Sequence, residues 1–208
     1  MKNKIDIDHL KQTAVSALEE SADLKITISK SNLIDDLIEM SEIISHAISK
    51  GKKLMLCGNG GSAADAQHLA AELLIRLRPH VNRESVPAIT LFQDTSTITA
   101  CGNDFGFDEL FARVLSGIGG SGDVLLAITT SGNSENVIKC LKKANEMEIT
   151  SFSFLGSGGG KCLNHSDKSI LIPSNNTARI QEAHIACGHI LMELIEERLL
   201  SQEIIKTI

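Results

Sequence analysis

From Lys53 onward the chain alternates short apolar runs with longer helical stretches, and no other feature limits its fold as strongly. The runs 53–57, 87–92, 123–129, 150–155 and 168–172 read as strands, and 62–77, 107–117, 135–147 and about 177–200 read as helices. Strands separated by helices pair in parallel through right-handed crossovers, which lay helices on both faces of one sheet. The expected fold class is α/β, a three-layer α/β/α sandwich with a central, mostly parallel sheet. Two helices, around 7–20 and 31–49, precede it. In the second, Leu33, Leu37, Ile38, Met40, Ile43, Ile44 and Ile48 cover more of the circumference than one half-exposed face needs, which predicts burial on two sides. A length of 208 residues fits one domain, 1–208, whose N-terminal helical segment 1–50 packs on the core and on neighbouring subunits.

In parallel sheets of this kind ligands collect at the carboxyl ends of the strands. Two turns there carry anion-binding chemistry. After the strand at 53–57 comes GNGGS, in which Asn59, Gly60 and Gly61 occupy the turn. Glycine permits positive φ and close approach of backbone N–H groups, and the first amides of the following helix favour negative charge. Ser62 reads as its N-cap, with Asp65 completing a capping box. After the strand at 123–129 comes TTSGNS, where Thr129, Thr130, Ser131, Asn133 and Ser134 crowd hydroxyl and amide donors around Gly132. Each turn alone equally fits an ordinary βα connection, with Ser134 as a helix cap; two in one sheet favour a phosphorylated small molecule. Neither GxxxxGK[ST] nor GxGxxG is present, so nothing supports a nucleotide.

Groups for proton or metal chemistry lie on two helices. His68 and Glu72 are spaced i, i+4 and share a helix face directly behind the glycine turn, a spacing that also suits a surface ion pair. In the last helix Gln181 and His189 are eight residues apart, so both point into one cleft within roughly a quarter turn. His184, on an apolar helix, reads as a hydrogen-bonded core residue. Residues 78–86, RPHVNRESV, read as a polar connection that covers the site or contacts a neighbouring subunit; Arg76, Arg78 or His80 could assist phosphate binding, but a solvated loop is the expected fate of such charges.

The net charge of −6 argues against nucleic-acid binding and requires local groups to hold any anion. Five scattered cysteines without a CxxC fit neither a disulfide framework nor a thiolate zinc site and suit a reducing compartment. The N-terminal residues lack an apolar signal core, and no run of about 18 apolar residues suggests a membrane span, so a cytoplasmic location is expected.

Taken together, GNGGSAADAQH, TSGNS, GNDFGF and RIQEAHIACGH resemble the phosphoheptose isomerases of the sugar-isomerase (SIS) superfamily, in the same order and over nearly the whole chain. The resemblance implies a flavodoxin-like sheet, a cytoplasmic homotetramer with sites near subunit interfaces, and conversion of sedoheptulose 7-phosphate to D-glycero-D-manno-heptose 7-phosphate for lipopolysaccharide or capsule heptose. It implies that Asn59, Gly60, Gly61, Ser62, Asn103, Asp104 and Gln181 contact the sugar and that Thr129, Thr130, Ser131 and Ser134 hold its phosphate. It implies one zinc ion per subunit on His68, Glu72, Gln181 and His189, with Glu72 and His189 in acid/base catalysis. Ala178 departs from an Asp found at that place in some isomerases. Two alternatives share the superfamily: an isomerase of another phosphosugar, and a non-catalytic adaptor that binds the replication initiator DnaA. Adaptors of that type lack the counterparts of Glu72 and His189, both present here.

Overall fold

The computed structural model describes residues 6–208; residues 1–5 of the expected N-terminal segment lie outside the described residues. In chain order the elements are α1 (Ile7–Ser29), α2 (Leu33–Ser49), β1 (Leu54–Gly58), α3 (Gly61–Ala71) running into a π-helical turn (Glu72–Arg76), β2 (Ala88–Thr90), and α4 (Thr95–Asp104). A 3₁₀ turn (Phe107–Glu109), α5 (Leu110–Ile118), β3 (Val124–Thr129), α6 (Glu135–Glu146), β4 (Thr150–Leu155), a second 3₁₀ turn (Lys161–His165), β5 (Lys168–Leu171) and α7 (Thr177–Ser201) follow.

The sheet has the order β2-β1-β3-β4-β5 and every pair is parallel. This is the flavodoxin-like order. Every residue of β1 and β3 is buried, as expected of strands covered on both faces, and their runs LMLCG and VLLAIT are correspondingly almost wholly apolar. The chain steps outward from β1 to β2 and returns past β1 to β3, so the strand order reverses between β1 and β3. A crevice opens at such a reversal, flanked by the loops that leave those two strands. Right-handed crossovers running in opposite directions put α3 on one face and α6 on the other. Accordingly α7 packs on α1, α2 and α3, whereas α5 packs on α6.

The structure departs from the sequence expectations in four places. Helix α1 runs on to Ser29, because Leu24 and Ile28 bury against the body of the protein. Helix α4 was not expected; TSTIT is rich in β-branched residues with poor intrinsic helix preference, but Asp94 caps it through the Thr97 amide at 2.7 Å. Helix α3 starts at Gly61 with Gly60 (φ 54°) as N-cap, so Ser62 and Asp65 lie inside it and form no capping box. Its C-terminal part, expected to continue to residue 77 as α-helix, widens into the π turn at Glu72. The burial expected of α2 holds for Leu37, Met40 and Ile44, which are wholly buried, while Ile38 stays 40% exposed. Among the described residues no helix is long and apolar enough to cross a membrane.

Candidate active site

The glycine turn is closed tightly at the end of β1. A Cβ on Gly58 would lie 2.6 Å from the Ser62 carbonyl oxygen, and Gly60 adopts a positive φ that side chains disfavour. The Asn59 side chain exchanges two 2.9 Å hydrogen bonds with Asn136, buried in the first turn of α6. This reciprocal amide pair ties the turn after β1 to the turn after β3 and commits the Asn59 side chain to the scaffold. An asparagine beside a helix cap carries no sequence signal for such a role.

The second turn presents hydroxyl groups. Ser134 is the N-cap of α6, yet its hydroxyl makes no capping bond and lies 3.4 Å from that of Thr129. Ser131 and Asn133 stiffen the turn: the Asn133 amide donates to Ser131 Oγ at 3.2 Å, and Asn133 Nδ2 donates to the Ser131 carbonyl at 2.9 Å. Its floor is the glycine-rich stretch after β4. A Cβ on Gly132 (φ 62°) would overlap the Gly159 carbonyl oxygen, and the Cys162 amide donates to the Gly132 carbonyl at 2.9 Å. The three consecutive glycines at 158–160 were the available signal for this supporting role.

Between the two helices that border the glycine turn, His68, Glu72 and His189 converge. The Nε2 atoms of His68 and His189 face each other at 2.7 Å with their rings nearly perpendicular, and Glu72 Oε1 lies 3.2 Å from His68 Nε2. Two neutral imidazoles that close must have one nitrogen bare of hydrogen, and both can be bare where they face a cation. Two imidazole nitrogens and a carboxylate oxygen within 4.8 Å of one another suit a divalent metal such as zinc. The Glu72 side chain is only 16% exposed and that of His68 is 48% exposed.

The matched family is the SIS domain, over residues 18–156. A phosphoheptose isomerase from Chlorobaculum parvum is 48% identical over 85% of this chain and 84% of its own, and one from Clostridium acetobutylicum is 41% identical over 94% and 99%. The chain belongs to the phosphoheptose isomerases of the SIS family. The solved structure of a phosphoheptose isomerase from Neisseria gonorrhoeae superposes with a TM-score of 0.84 at 36% identity, covering 90% of this chain and 99% of that one.

Of the residues that the resemblance to phosphoheptose isomerases points to, the chain brings together His68, Glu72 and His189, and it sets the two turns side by side. Gln181 reaches the glycine turn, where a Cβ on Gly61 would overlap its Nε2 atom. Asn103 and Asp104 are exposed at the end of α4, where Asn103 Nδ2 donates to Asp104 Oδ1 at 2.7 Å. Asp104 lines a separate 320 Å³ cleft together with Cys101, Phe105 and Arg113, apart from the histidines.

Three residues carry more than the sequence indicated. Asp65, one turn before His68, is buried with Oδ2 lacking a partner; burial pushes its carboxyl up and His68 pulls it down. His184 is core, as expected, but neither ring nitrogen meets a hydrogen-bond partner. Arg83, which the polar connection did not single out, is only 4% exposed and pairs with Glu196 of α7. Within 78–86 only Arg83 and Val86 are buried, and Arg83 turns inward to neutralise the buried carboxylate that α7 offers.

Proposed function

We propose that this chain is an aldose–ketose isomerase that converts sedoheptulose 7-phosphate to D-glycero-D-manno-heptose 7-phosphate. The observation that carries the proposal is the convergence of His68, Glu72 and His189 beside two donor-rich turns at the strand-order reversal, in a member of the phosphoheptose isomerases. Thr129, Thr130, Ser131 and Ser134 hold the phosphate through hydroxyls and helix N-terminal amides, which suits a protein of net charge −6 that places no lysine in either turn. Gly60, Gly61, Ser62, the Asn59 backbone and Gln181 receive the sugar.

The reaction moves one proton between neighbouring carbons. Glu72 takes a proton from C1 of the open-chain ketose, electrons shift to give a C1–C2 ene-diol, and Glu72 returns the proton at C2. His189 donates to and then accepts from the sugar oxygens so that neither carries a full charge for long. One zinc ion per subunit, held by His68, Glu72, Gln181 and His189, would polarise the carbonyl when bound. The chain acts as one SIS domain in a cytoplasmic homotetramer, with Asn103 and Asp104 serving sites near subunit interfaces. A single apolar core from Leu24 to Ile205 supports the one-domain reading, and the exposed Ile7, Leu10, Val15 and Leu18 of α1 support assembly.

A coupled assay with sedoheptulose 7-phosphate tests this reading. Wild type is expected to turn over, and Glu72→Gln and His189→Asn are expected to lose at least about 100-fold in kcat. Absence of turnover in wild type, with and without added zinc, would refute it. Chelation followed by metal analysis tests zinc: full activity in metal-free protein excludes an essential role.

A further inference from the structure

We infer that Arg83, braced by Glu196, is a positioning residue that fixes the Glu72 carboxylate relative to His189. The inference rests on the isomerase reading for the role of Glu72, and on the following geometry for its own content. Helix α3 changes from α to π geometry at Glu72 itself. The π turn re-pairs the ladder i to i+5 and the helix ends at Arg76, so carbonyls of this last turn are open to partners from outside the helix. The Arg83 guanidinium supplies replacements: Nη2 donates to the Glu72 carbonyl at 2.8 Å and Nη1 to the Leu73 carbonyl at 2.7 Å. The Val86 amide (3.1 Å) and the Ser85 hydroxyl (2.6 Å) serve the Leu73 and Leu74 carbonyls from the same segment.

The other side of the guanidinium is held from α7. Arg83 Nε donates to Glu196 Oε2 at 2.7 Å, and both side chains are fully buried. Glu196 Oε1 accepts from Arg78 Nε at 2.6 Å. Glu196 follows His189 by seven residues, two helical turns, so the α7 face that offers His189 to the site also offers Glu196 to Arg83. One planar group therefore spans the carbonyl of one catalytic residue and a carboxylate on the helix of the other. A buried ion pair is a poor device for stability alone, since apolar residues of similar size often serve as well or better. Its contact with the Glu72 carbonyl joins the backbone of one catalytic residue to the helix that carries the other.

The test compares Arg83→Lys with Arg78→Gln. Lysine keeps the charge but is a point donor that cannot span Glu196 and two carbonyls. Arg83→Lys is expected to lower kcat for sedoheptulose 7-phosphate about 10- to 100-fold with KM within about two-fold, because a displacement of about 1 Å costs on that order. It is also expected to weaken zinc binding about 10-fold or more, read by competition with a chromophoric chelator. Arg78→Gln loosens Glu196 without touching Glu72 and is expected to keep kcat within about two-fold, so a general loss of the ion cluster is separated from misplacement of Glu72. A folded Arg83→Lys protein with wild-type kcat and zinc affinity overturns the inference. Where Arg83→Lys does not fold, Glu196→Gln, which retains an acceptor for Arg83, takes its place, with the same split expected in milder form and unchanged kcat and zinc affinity overturning the inference. If wild type does not isomerise the sugar, the isomerase reading fails, while the zinc measurement still decides the role of Arg83.

Discussion

His184 gives this protein an acid-sensitive core. It is wholly buried on α7, its ring centroid lies 5.9 Å from that of Phe154, and neither nitrogen has a hydrogen-bond partner. Burial pushes its pKa from 6.5 down to about 4, and the nearby Leu155 backbone, which makes no hydrogen bond of regular geometry with the ring, opposes this only in part. The unfolded chain binds a proton at His184 below about pH 6.5, whereas the folded protein does so only below about pH 4. Stability must then fall as the pH drops through this window, because the unfolded state takes up the extra proton. At about 1.4 kcal/mol per pH unit, the loss from pH 7 to pH 4 is about 3 kcal/mol, a large share of a typical stability of about 5–15 kcal/mol. Urea unfolding of wild type and His184→Leu across pH 7 to 4 measures it. Leucine fills a similar volume and leaves no unpaired polar atom, so the variant is expected to match or exceed wild type at pH 7 and to gain about 3 kcal/mol on it by pH 4. Two curves that keep a constant separation over this range would refute the reasoning.

Three other predictions follow from close contacts and burial. Gly132→Ala adds a Cβ at φ 62° against the Gly159 carbonyl, so it is expected to cost about 2 kcal/mol or more and to raise KM for a phosphorylated substrate, while phosphate-free substrate analogues bind equally weakly to both proteins. Gly188→Ala places a Cβ 2.5 Å from a Leu69 methyl where α3 and α7 cross, and is expected to lower stability by about 1–3 kcal/mol in denaturant unfolding. All five cysteines are buried, and burial pushes the thiol of Cys162 up to about 12 and that of Cys187 up to about 11. A thiol reagent at pH 8 is therefore expected to label none of the five in the native protein and all of them after unfolding.

Local chemistry shows why some of this was legible in the sequence and some was not. The strands at 53–57 and 123–129 are almost wholly apolar after their first residue and that at 150–155 sets Phe152, Phe154 and Leu155 among hydroxyl residues, and the turns after the first two carry glycine and hydroxyl residues whose meaning does not depend on partners. Helix α4 hid behind β-branched residues, with Asp94 as its one local sign. Ser62 and Asp65 spelled a capping box that α3 does not use, since the helix starts at Gly61 and Gly60 takes the cap.

What the sequence alone determined is the set of parts: a parallel sheet clad in helices, two anion-suited turns at strand ends, and the residue types able to move a proton or hold a metal. Periodicity and turn chemistry act over a few residues, so they can be read locally. Only the tertiary structure decided which parts meet. His68 and His189 are separated by 121 residues and come to 2.7 Å because the strand order carries α7 back beside α3. The π turn at Glu72 and its Arg83–Glu196 brace arise the same way: a widened helix turn is tolerated only where a distant segment satisfies its carbonyls, and no local pattern announces that partner.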